Sequence, residues 1–565
     1  PRPVQTTFEW LLRQDSSGRR AVVPDTVRLN PALVAIEQFA PADSGRLRAF
    51  YDTLLYARRP VRIAVLGDSF IEGDILTADL REKLQQAYGG GGAGFAPMAS
   101  PLTAFRHTIK TQSKGWTAYN IMQRKAAPQN LRGHFFVSGW VCQPSEGAST
   151  RWENTDYRQR LDSCTAARVF FISPRDSRIE LTLNDSLRRE FEVEGAAAVR
   201  QVTVTAPHIR SLAFKVNSGT EGFIGYGAVF EADGVVVDNY SVRSNNGQAM
   251  FWTNPSVNAQ INAHAGYDLV ILQYGLNIMQ TGVHNYTNYA RQIEKMVVYV
   301  QQCFPTAAVL VLGVSDRSVK TDAGFEPMDA IPYMLDYQRR AAENTGAAFW
   351  PTCDAMRSLG GMEQFVANGW AGKDYTHINY AGGRRVAWSL VDAINAGAYE
   401  AHAAAEAARI RRQAEQAVLG SMLIDPRCIA DVIGRVKADD FYVQANRDIF
   451  ETIFAMFSYG QTVDPVTVLD QMKVRGVQKE NSPQYLTELM EITPTAANVL
   501  EYAAIVRDRA LLRALAQVGE DITNMVYEGS GQADTMLENA ERKIYALSRD
   551  RNTGGLTPVA SVVQR

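Results

Sequence analysis

Ser69 stands where α/β enzymes present a nucleophile. It follows Gly67-Asp68, directly after the mostly apolar run at 61–66, and open α/β sheets carry their functional groups at the carboxyl ends of strands. A serine there needs a general base. Among seven histidines, only His377 has a carboxylate at a useful offset, in Asp374-Tyr375-Thr376-His377. An Asp three residues before a His can accept a hydrogen bond from one imidazole nitrogen and leave the other to take the serine proton.

An oxyanion donor is also required for this chemistry, and Asn277 is the candidate. It lies in Gly275-Leu276-Asn277, after the strand-like segment 268–273, so its amide can donate from a neighbouring strand end. Each motif alone is weak, because Gly-Asp-Ser is often an ordinary turn and Asp-x-x-His often a surface turn. Together, in this order, they predict acyl transfer by a serine.

The elements that must position these residues alternate along the chain. A parallel sheet covered on both faces follows from alternating strands and helices. After the strand at 61–66 the pattern predicts helices over 75–88, 286–303 and 332–344, and strands over 268–273, 307–313 and 347–350.

The region 130–240 breaks this alternation. Segments such as 178–183 and 212–216 have apolar residues at every second position, bounded by Asn, Asp, Ser and Gly. We therefore expect a β-sandwich over 130–240, inserted into an α/β domain formed by 1–129 and 241–395.

In this order the three motifs resemble the SGNH (GDSL-type) hydrolases, a family of esterases with a flavodoxin-like, three-layer α/β fold. Gly67-Asp68-Ser69-Phe70 matches the first block, Gly275-x-Asn277 the third and Asp374-x-x-His377 the fifth. The resemblance implies that Ser69 is the nucleophile, His377 the general base and Asp374 the residue that orients the imidazole. It places Asn277 and the Ser69 backbone N–H in the oxyanion hole.

The family's remaining oxyanion donor is a backbone N–H of a second-block glycine, for which the chain offers two candidates. One is the run Gly89 to Gly94, soon after the nucleophile, and the other is Gly247 in Asn246-Gly247-Gln248. Gly247 is favoured, because members with an inserted β-sandwich interrupt the fold before this block.

A closer resemblance concerns the substrate. The segment from Ser69 to Asp74, with the later Gly94-Phe95-Ala96-Pro97, is similar to peptidoglycan O-acetylesterases that carry a carbohydrate-binding-like insert. This implies removal of acetyl from an O-acetylated glycan through an acetyl-Ser69 intermediate. Ile278 replaces the acidic residue common after the third block, which leaves the glycan itself open.

The sequence predicts neither a cofactor nor a metal. Gly89-x-Gly91-x-x-Gly94 fits the dinucleotide fingerprint in form but follows a helix rather than a strand. The other histidines lack the paired spacing of metal sites. Five widely spaced cysteines exclude a disulfide framework. Free buried thiols are favoured, with a bridge between Cys142 and Cys164 as the alternative.

The last third of the chain has helical spacing rather than alternating strands and helices. An Ala- and Glu-rich stretch at 396–412 has very high helix propensity and predicts a rigid connector. Helical spacing continues over 413–548, and 549–565 is expected to be a frayed tail. Taken alone, the spacing predicts an all-α bundle.

Four motifs make the helical region more specific: Phe441-Tyr442, Asn446-Arg447-Asp448-Ile449-Phe450, Thr493-Pro494-Thr495-Ala496-Ala497-Asn498 and Tyr502 to Arg507. They resemble the N-terminal domain of replicative DnaB-type helicases, including a helical hairpin at about 498–548. Asn446 replaces the more usual His, and Leu556-Thr557-Pro558 is similar to the entry to the motor domain.

This second resemblance implies self-association into a homo-oligomer and, in the parent helicase, contact with primase. No Gly-x-x-x-x-Gly-Lys-Ser/Thr motif occurs, so neither ATP hydrolysis nor unwinding is predicted. Acidic residues outnumber basic ones by 22 to 18 after residue 400, which argues against direct nucleic-acid binding there.

The whole chain has 565 residues and a formal charge of −2, with no apolar run long enough to span a bilayer. Its start, Pro1-Arg2-Pro3-Val4, lacks a signal-peptide pattern, so a recombinant soluble protein is expected. The esterase part resembles exported envelope proteins and the helicase part cytoplasmic ones, which predicts an engineered fusion of two oligomerising blocks. The alternatives are a natural fusion that clusters the esterase, a structural assembly with incidental catalysis, and a primase-binding module.

Overall fold

A computed structural model of the protein describes residues 33–39, 45–57, 59–322, 324–493, 495–528 and 533–552. The chain forms two compact units, Pro1–His402 and Ala403–Arg565. Within the described residues, no helix has the length and apolar character needed to cross a membrane. Most of the predicted tail, from residue 553 onward, lies outside the described residues, and so does Leu556-Thr557-Pro558.

The first unit contains a five-stranded sheet, called here the parallel sheet, in which all neighbours run in the same direction. Its strands, in spatial order, are Val235–Ser241, Val61–Gly67, Leu269–Gln273, Ala308–Leu312 and Ala348–Trp350. Numbered along the chain this order is 2-1-3-4-5, the flavodoxin-like arrangement. The four strands other than the Val235–Ser241 edge strand are buried along their whole length, as expected for a sheet with helices on both faces.

Helices of this unit join the parallel sheet in one apolar core. Leu80 and Leu84 from one helix, and Ile293 and Val297 from another, are almost completely buried there. The helices are Arg46–Tyr56, Thr77–Tyr88, Pro255–Ala265, Thr287–Cys303, Ile331–Thr345, Thr352–Ser358, Gly361–Ala367 and the first part of Tyr380–Ile424. The predicted flavodoxin-like α/β fold is confirmed.

The first unit also contains a nine-stranded sheet with antiparallel pairing, called here the antiparallel sheet. Its strands are Gly94–Pro97, Ile109–Asn120, Trp140–Asn154, Ala166–Ser173, Ser177–Leu183, Leu187–Val193, Ala196–Thr205, Ser211–Ser218 and Ile224–Glu231. Trp152, Phe171 and Phe214 lie at the centre of its own core. On strand Ala166–Ser173 the alternate residues Phe170 and Ile172 belong instead to the core of the parallel sheet, so this strand is buried on both faces.

The boundaries of the two sheets differ from the expected 130–240. The antiparallel sheet already begins at Gly94 and ends at Glu231. Val235–Ser241 pairs in parallel with Val61–Gly67 and is the edge strand of the other sheet. The expected start at residue 130 is too late because the short strand Gly94–Pro97 follows a glycine run and lacks the period-two alternation on which that expectation rests.

A buried ion pair joins the parallel sheet to the antiparallel sheet. Arg62, on strand Val61–Gly67 of the parallel sheet, donates to Glu231 on the antiparallel sheet, and Arg168 donates to the same carboxylate over 2.8 Å. The Arg62 and Glu231 side chains are each 3% exposed. A buried pair of this kind is strongly destabilising to break, since the remaining charge has no water to solvate it.

The second unit is helical, with no strand among its described residues. Its helices are the last part of Tyr380–Ile424, then Ile429–Ile433, Gln444–Ser458, Pro465–Val474, Ser482–Glu491, Val499–Glu528 and Ala533–Asn552. The last two match the predicted helical hairpin. A separate core includes Val418, Ile453 and Leu489.

The predicted connector at 396–412 lies inside the single helix Tyr380–Ile424. Ala398 and Ala401 belong to the core of the first unit, and a Cβ at Gly397 would lie 2.2 Å from the Tyr51 hydroxyl oxygen. The first residues of this stretch therefore pack within the first unit, so the stretch is a spacer over only part of its length.

Asn446, which departs from the usual His, is fully buried in the second unit. Its Nδ2 donates to Glu415 over 2.9 Å, and its Oδ1 accepts from the Tyr485 hydroxyl over 2.6 Å. Glu415 also accepts from the Tyr442 N–H over 2.7 Å. The Asn446 amide thus supplies a hydrogen bond to a buried carboxylate, as buried polar groups require.

Candidate active site

Ser69 lies in the turn that follows strand Val61–Gly67 of the parallel sheet. Gly67, at the end of that strand, pairs with Ser241 on one side and Gln273 on the other. The carboxyl ends of three strands therefore meet beside Ser69, and the sequence predicts two of them, those of Val61–Gly67 and Leu269–Gln273. Ser69 itself is half-buried, whereas the preceding Asp68 is buried.

Asp68 organises this turn. Its Oδ1 accepts from the Phe70 N–H over 2.9 Å, and its own N–H donates to Gln273 over 3.3 Å. Burial raises the pKa of the Asp68 carboxyl to about 6, against the opposing effect of these hydrogen bonds and of the His377 charge. The His377 charge thus acts on the carboxyl of the residue before Ser69.

His377 and Asp374 form the expected pair. His377 Nδ1 lies 2.7 Å from Asp374 Oδ2, while Asp374 Oδ1 accepts the backbone N–H groups of Thr376 and His377, each over 3.1 Å. Partial burial acts to raise the pKa of the Asp374 carboxyl, but these three hydrogen bonds outweigh it and lower that pKa. A carboxylate held ionised against Nδ1–H fixes the tautomer in which Nε2 accepts a proton.

Asn277 faces the same turn. Its Nδ2 donates to Asp68 Oδ2 over 2.9 Å and to the Asn245 carbonyl oxygen over 3.3 Å. Because the second bond is long, it is the one whose hydrogen can be redirected to a substrate oxygen while Asp68 keeps the amide in place. The structure therefore brings Asn277 beside Asp68, and its oxyanion role stays a prediction.

Gly247 lies near Asn277 but its N–H is already used. It donates to Asn245 Oδ1 over 2.9 Å, and the Ala249 N–H donates to the same oxygen over 3.2 Å. Gly247 has φ 93°, and a Cβ there would lie 2.1 Å from the Met296 sulfur, so only glycine fits. Its oxyanion role, which requires release of the Asn245 bond, stays a prediction.

The competing glycine run has a packing function. A Cβ at Gly92 would lie 2.3 Å from the Phe230 carbonyl oxygen, and one at Gly94 would lie 2.2 Å from that of Val237. Both residues also have positive φ. These glycines allow the chain to pass closely between strands of the two sheets, which is a sufficient reason for the run.

Sequence reasoning missed Asp68, Asn245 and Tyr375 as parts of this site. Asn245 binds Gly247, Ala249 and Asn277, and Tyr375 has the left-handed φ of 54° between Asp374 and His377. The signal for Asp68 was its place in the first block. Asn245 and Tyr375 had no signal in the sequence, since neither hydrogen bonding to a distant loop nor φ can be read from spacing.

Other candidate groups fall outside the site. His284 lies 2.7 Å from Asp329 and stacks on Tyr333 with ring centroids 4.3 Å apart. In the part of the chain that the structure describes, no three His, Cys, Asp or Glu side chains lie together as metal ligands would. All five cysteines are free thiols, and the alternative bridge between Cys142 and Cys164 is not formed.

The comparisons with known proteins divide the chain close to the boundary between its two units. Residues 408–508 match the family described as DnaB-like helicase N terminal domain. The replicative DNA helicase DnaB of Leifsonia xyli subsp. xyli is 34% identical over 151 residues, 26% of this chain and 33% of that protein. That of Pasteurella multocida is 36% identical over 148 residues, 26% of this chain and 32% of that protein. The chain thus spans about a third of these helicases.

The remainder of the chain has a structural counterpart. A solved structure of a peptidoglycan O-acetylesterase superposes with a TM-score of 0.53 and 20% sequence identity, covering 65% of this chain and 99% of that one. This likeness establishes the fold. The chain therefore combines a sheet-rich domain with the fold of this esterase and a C-terminal helical region, of which residues 408–508 match the DnaB-like helicase N-terminal domain.

Proposed function

We propose that this chain is a serine esterase that removes acetyl groups from carbohydrate hydroxyls. The observation that carries the proposal is the 2.7 Å contact between His377 Nδ1 and Asp374 Oδ2, in a loop whose His377 charge acts on Asp68, the neighbour of Ser69. The likeness in fold to a peptidoglycan O-acetylesterase supports an O-acetylated glycan as substrate.

The mechanism has two displacement steps. Ser69 Oγ attacks the acetyl carbonyl carbon while His377 Nε2 takes the hydroxyl proton, and the carbonyl oxygen becomes an oxyanion. Asn277 Nδ2 and the Ser69 N–H donate to that oxygen, with the Gly247 N–H as the third donor. The C–O bond to the sugar breaks, and the sugar oxygen takes the proton from His377.

Acetyl-Ser69 is then hydrolysed. Water gives a proton to His377 Nε2 and attacks the acyl carbon. The bond to Ser69 Oγ breaks, Oγ recovers the proton, and acetate leaves. Throughout, the Asp374 carboxylate stabilises the imidazolium that forms in each step.

The test measures acetate release from O-acetylated peptidoglycan and from p-nitrophenyl acetate. Ser69→Ala should reduce both to background, whereas the exposed Ser113→Ala should leave both unchanged. Equal activity of Ser69→Ala and the unsubstituted protein would refute the nucleophile. Activity on p-nitrophenyl acetate alone would retain the esterase and reject this glycan.

A second proposal concerns the helical unit. We infer that it self-associates, because its last two helices, Val499–Glu528 and Ala533–Asn552, expose large apolar side chains. These are Leu512, Leu515, Val526, Leu537, Ile544 and Tyr545, each at least 49% exposed. Such residues are typical of a surface that another protein covers.

Light scattering tests this inference. Leu515→Glu with Ile544→Glu should reduce the particle mass to that of one chain, whereas Val474→Glu on a different helix should not. A monomer before substitution would contradict the inference. The predicted primase contact is tested separately by retention of primase on the immobilised protein.

The origin of the chain is a third proposal. Its two units match unrelated proteins, a helicase domain and an esterase fold, which supports an engineered fusion whose blocks assemble together. A mass corresponding to a closed symmetric particle would support the assembly. The natural alternative, clustering of the esterase by the helical unit, predicts small oligomers instead.

A further inference from the structure

A short β-hairpin contacts two loops of the candidate active site, the loop that holds His377 and the loop that holds Asn277. It pairs Ser318–Thr321 with Gly324–Pro327, and together with Arg317, Met328 and Asp329 it is called here the strap. Residues of the second strand are all exposed, so they add nothing to the core. An isolated two-stranded hairpin is marginally stable in water, so the contacts of the strap with its neighbours determine its position.

The first contact is with the loop that holds His377. The Ser318 N–H donates to the Tyr375 carbonyl oxygen over 3.0 Å. The Phe325 and Tyr375 rings stack with centroids 3.8 Å apart and planes 11° apart. Phe325 remains 42% exposed even with this contact. The stacking on Tyr375 is therefore the reason we give for a large apolar side chain on an exposed strand.

The second contact is with the loop that holds Asn277. Asp329 Oδ2 accepts from the Gly282 N–H over 3.1 Å and lies 2.7 Å from His284 Nε2. At the same open end of the hairpin, Arg317 Nη1 lies 3.4 Å from the carbonyl oxygen of Leu276, the residue before Asn277. The strap therefore contacts both the general-base loop and the oxyanion loop.

Tyr375 explains why such a contact matters. Its φ of 54° is a conformation that residues other than Gly, Asn and Asp seldom adopt, and it persists only where neighbouring structure holds it. Tyr375 lies directly after Asp374 and two residues before His377. Relaxation of this φ would redirect the chain between the two side chains and lengthen the Nδ1 to Oδ2 contact.

We propose that Phe325 is a positioning residue for the reaction, acting through Tyr375 to hold Asp374 and His377 in their hydrogen-bonded geometry. This inference rests on the proposed esterase function. Small displacements of catalytic groups reduce rates by up to about 100-fold. Phe325→Ala should therefore lower kcat for p-nitrophenyl acetate by about 10-fold with KM within about twofold.

Three comparison variants make the test specific. Phe325→Tyr keeps the stacked ring and should restore kcat to within about twofold of the original. Leu187→Ala removes an exposed apolar side chain from the antiparallel sheet and should have no effect. In a Tyr375→Gly background, where glycine adopts positive φ without help, Phe325→Ala should cause no further loss.

A structural readout separates this proposal from the esterase itself. With isotope-labelled histidine, the hydrogen-bonded Nδ1 proton of His377 should give a resolved NMR signal that weakens in Phe325→Ala and returns in Phe325→Tyr. An unchanged signal and kcat in Phe325→Ala, with Ser69→Ala inactive, would overturn the positioning role and leave the esterase. Full activity of Ser69→Ala would overturn the esterase, and the NMR comparison would still decide whether Phe325 holds His377.

Discussion

Asn277 Nδ2 donates to Asp68 Oδ2 over 2.9 Å, so the residue directly before Ser69, the proposed nucleophile, holds the candidate oxyanion donor. Asp68 is also anchored from the other side by the Phe70 N–H. The turn that contains Ser69 and the Asn277 amide are therefore held together by hydrogen bonds in the protein alone. An amide held in place in this way has only to exchange its longer bond, to the Asn245 carbonyl, for one to a substrate oxygen.

The first prediction concerns Asn277 itself. Asn277→Ala should lower kcat for acetate release by about 10²–10³ with little change in KM, because the lost donor acts on the transition state. Steady-state kinetics measure the change, with Asn217→Ala on the antiparallel sheet as the control. A loss below about threefold would remove Asn277 from the oxyanion hole.

The second prediction concerns the carboxylate behind the base. Asp374→Asn should lower kcat by about 10²–10⁴, because a neutral amide neither fixes the required imidazole tautomer nor stabilises imidazolium. The exposed Asp162→Asn serves as a control for the same chemical change at a distant site. Normal turnover by Asp374→Asn would show that His377 works without this partner.

The third prediction is a pH dependence of stability. Burial raises the pKa of Asp68 from its ordinary value of 3.8 to about 6, so folding favours its protonated form. The contribution of Asp68 to stability is greatest below its unfolded-state pKa and is lost as pH rises through the folded-state value. The change amounts to about 3 kcal/mol.

Thermal unfolding at a series of pH values measures this effect. Asp68→Asn cannot titrate, so the Tm of the unsubstituted protein relative to this variant should fall between about pH 4 and pH 6. Asp162→Asn should show no such trend. A constant difference between Asp68→Asn and the unsubstituted protein would mean that Asp68 does not titrate in this range.

The fourth prediction concerns the contact between the two sheets. Glu231→Gln should destabilise the first unit by about 3–5 kcal/mol, because Arg62 and Arg168 lose their buried counter-charge. The matched control is Glu221→Gln, since Glu221 pairs with Arg175 at the surface, with side chains 73% and 66% exposed. That change should cost less than about 1 kcal/mol. Equal effects of the two variants on Tm would contradict the assigned role of Glu231.

Much of the fold could be predicted because its signals are local. The strand at Val61–Gly67 and the helix Thr287–Cys303 lie within a residue or two of their expected bounds, since buried parallel strands and amphipathic helices have distinct periodicities. The edge strand Val235–Ser241 was assigned to the wrong sheet, because its partner Val61–Gly67 lies far away in sequence. Pairing partners of strands are a tertiary property that spacing does not encode.

The residues of the candidate site also differ in whether a local sequence signal marks them. Ser69, Asn277, Asp374 and His377 could be named because each belongs to a short motif with a chemical reason for its residue types. Asn245 could not, since its contacts join loops that are distant in sequence. Nor could the stacking of Phe325 on Tyr375, since the two residues are distant in sequence.

Detection of the acyl-enzyme tests the central claim most directly. The protein is mixed with p-nitrophenyl acetate, quenched in acid within the first turnover and digested, and the peptide that contains Ser69 is analysed by mass spectrometry. The account predicts one added acetyl group on Ser69, absent when Ser69→Ala is treated identically. Acetate release at the normal rate by Ser69→Ala, with no acetylated peptide from the unsubstituted protein, would contradict it.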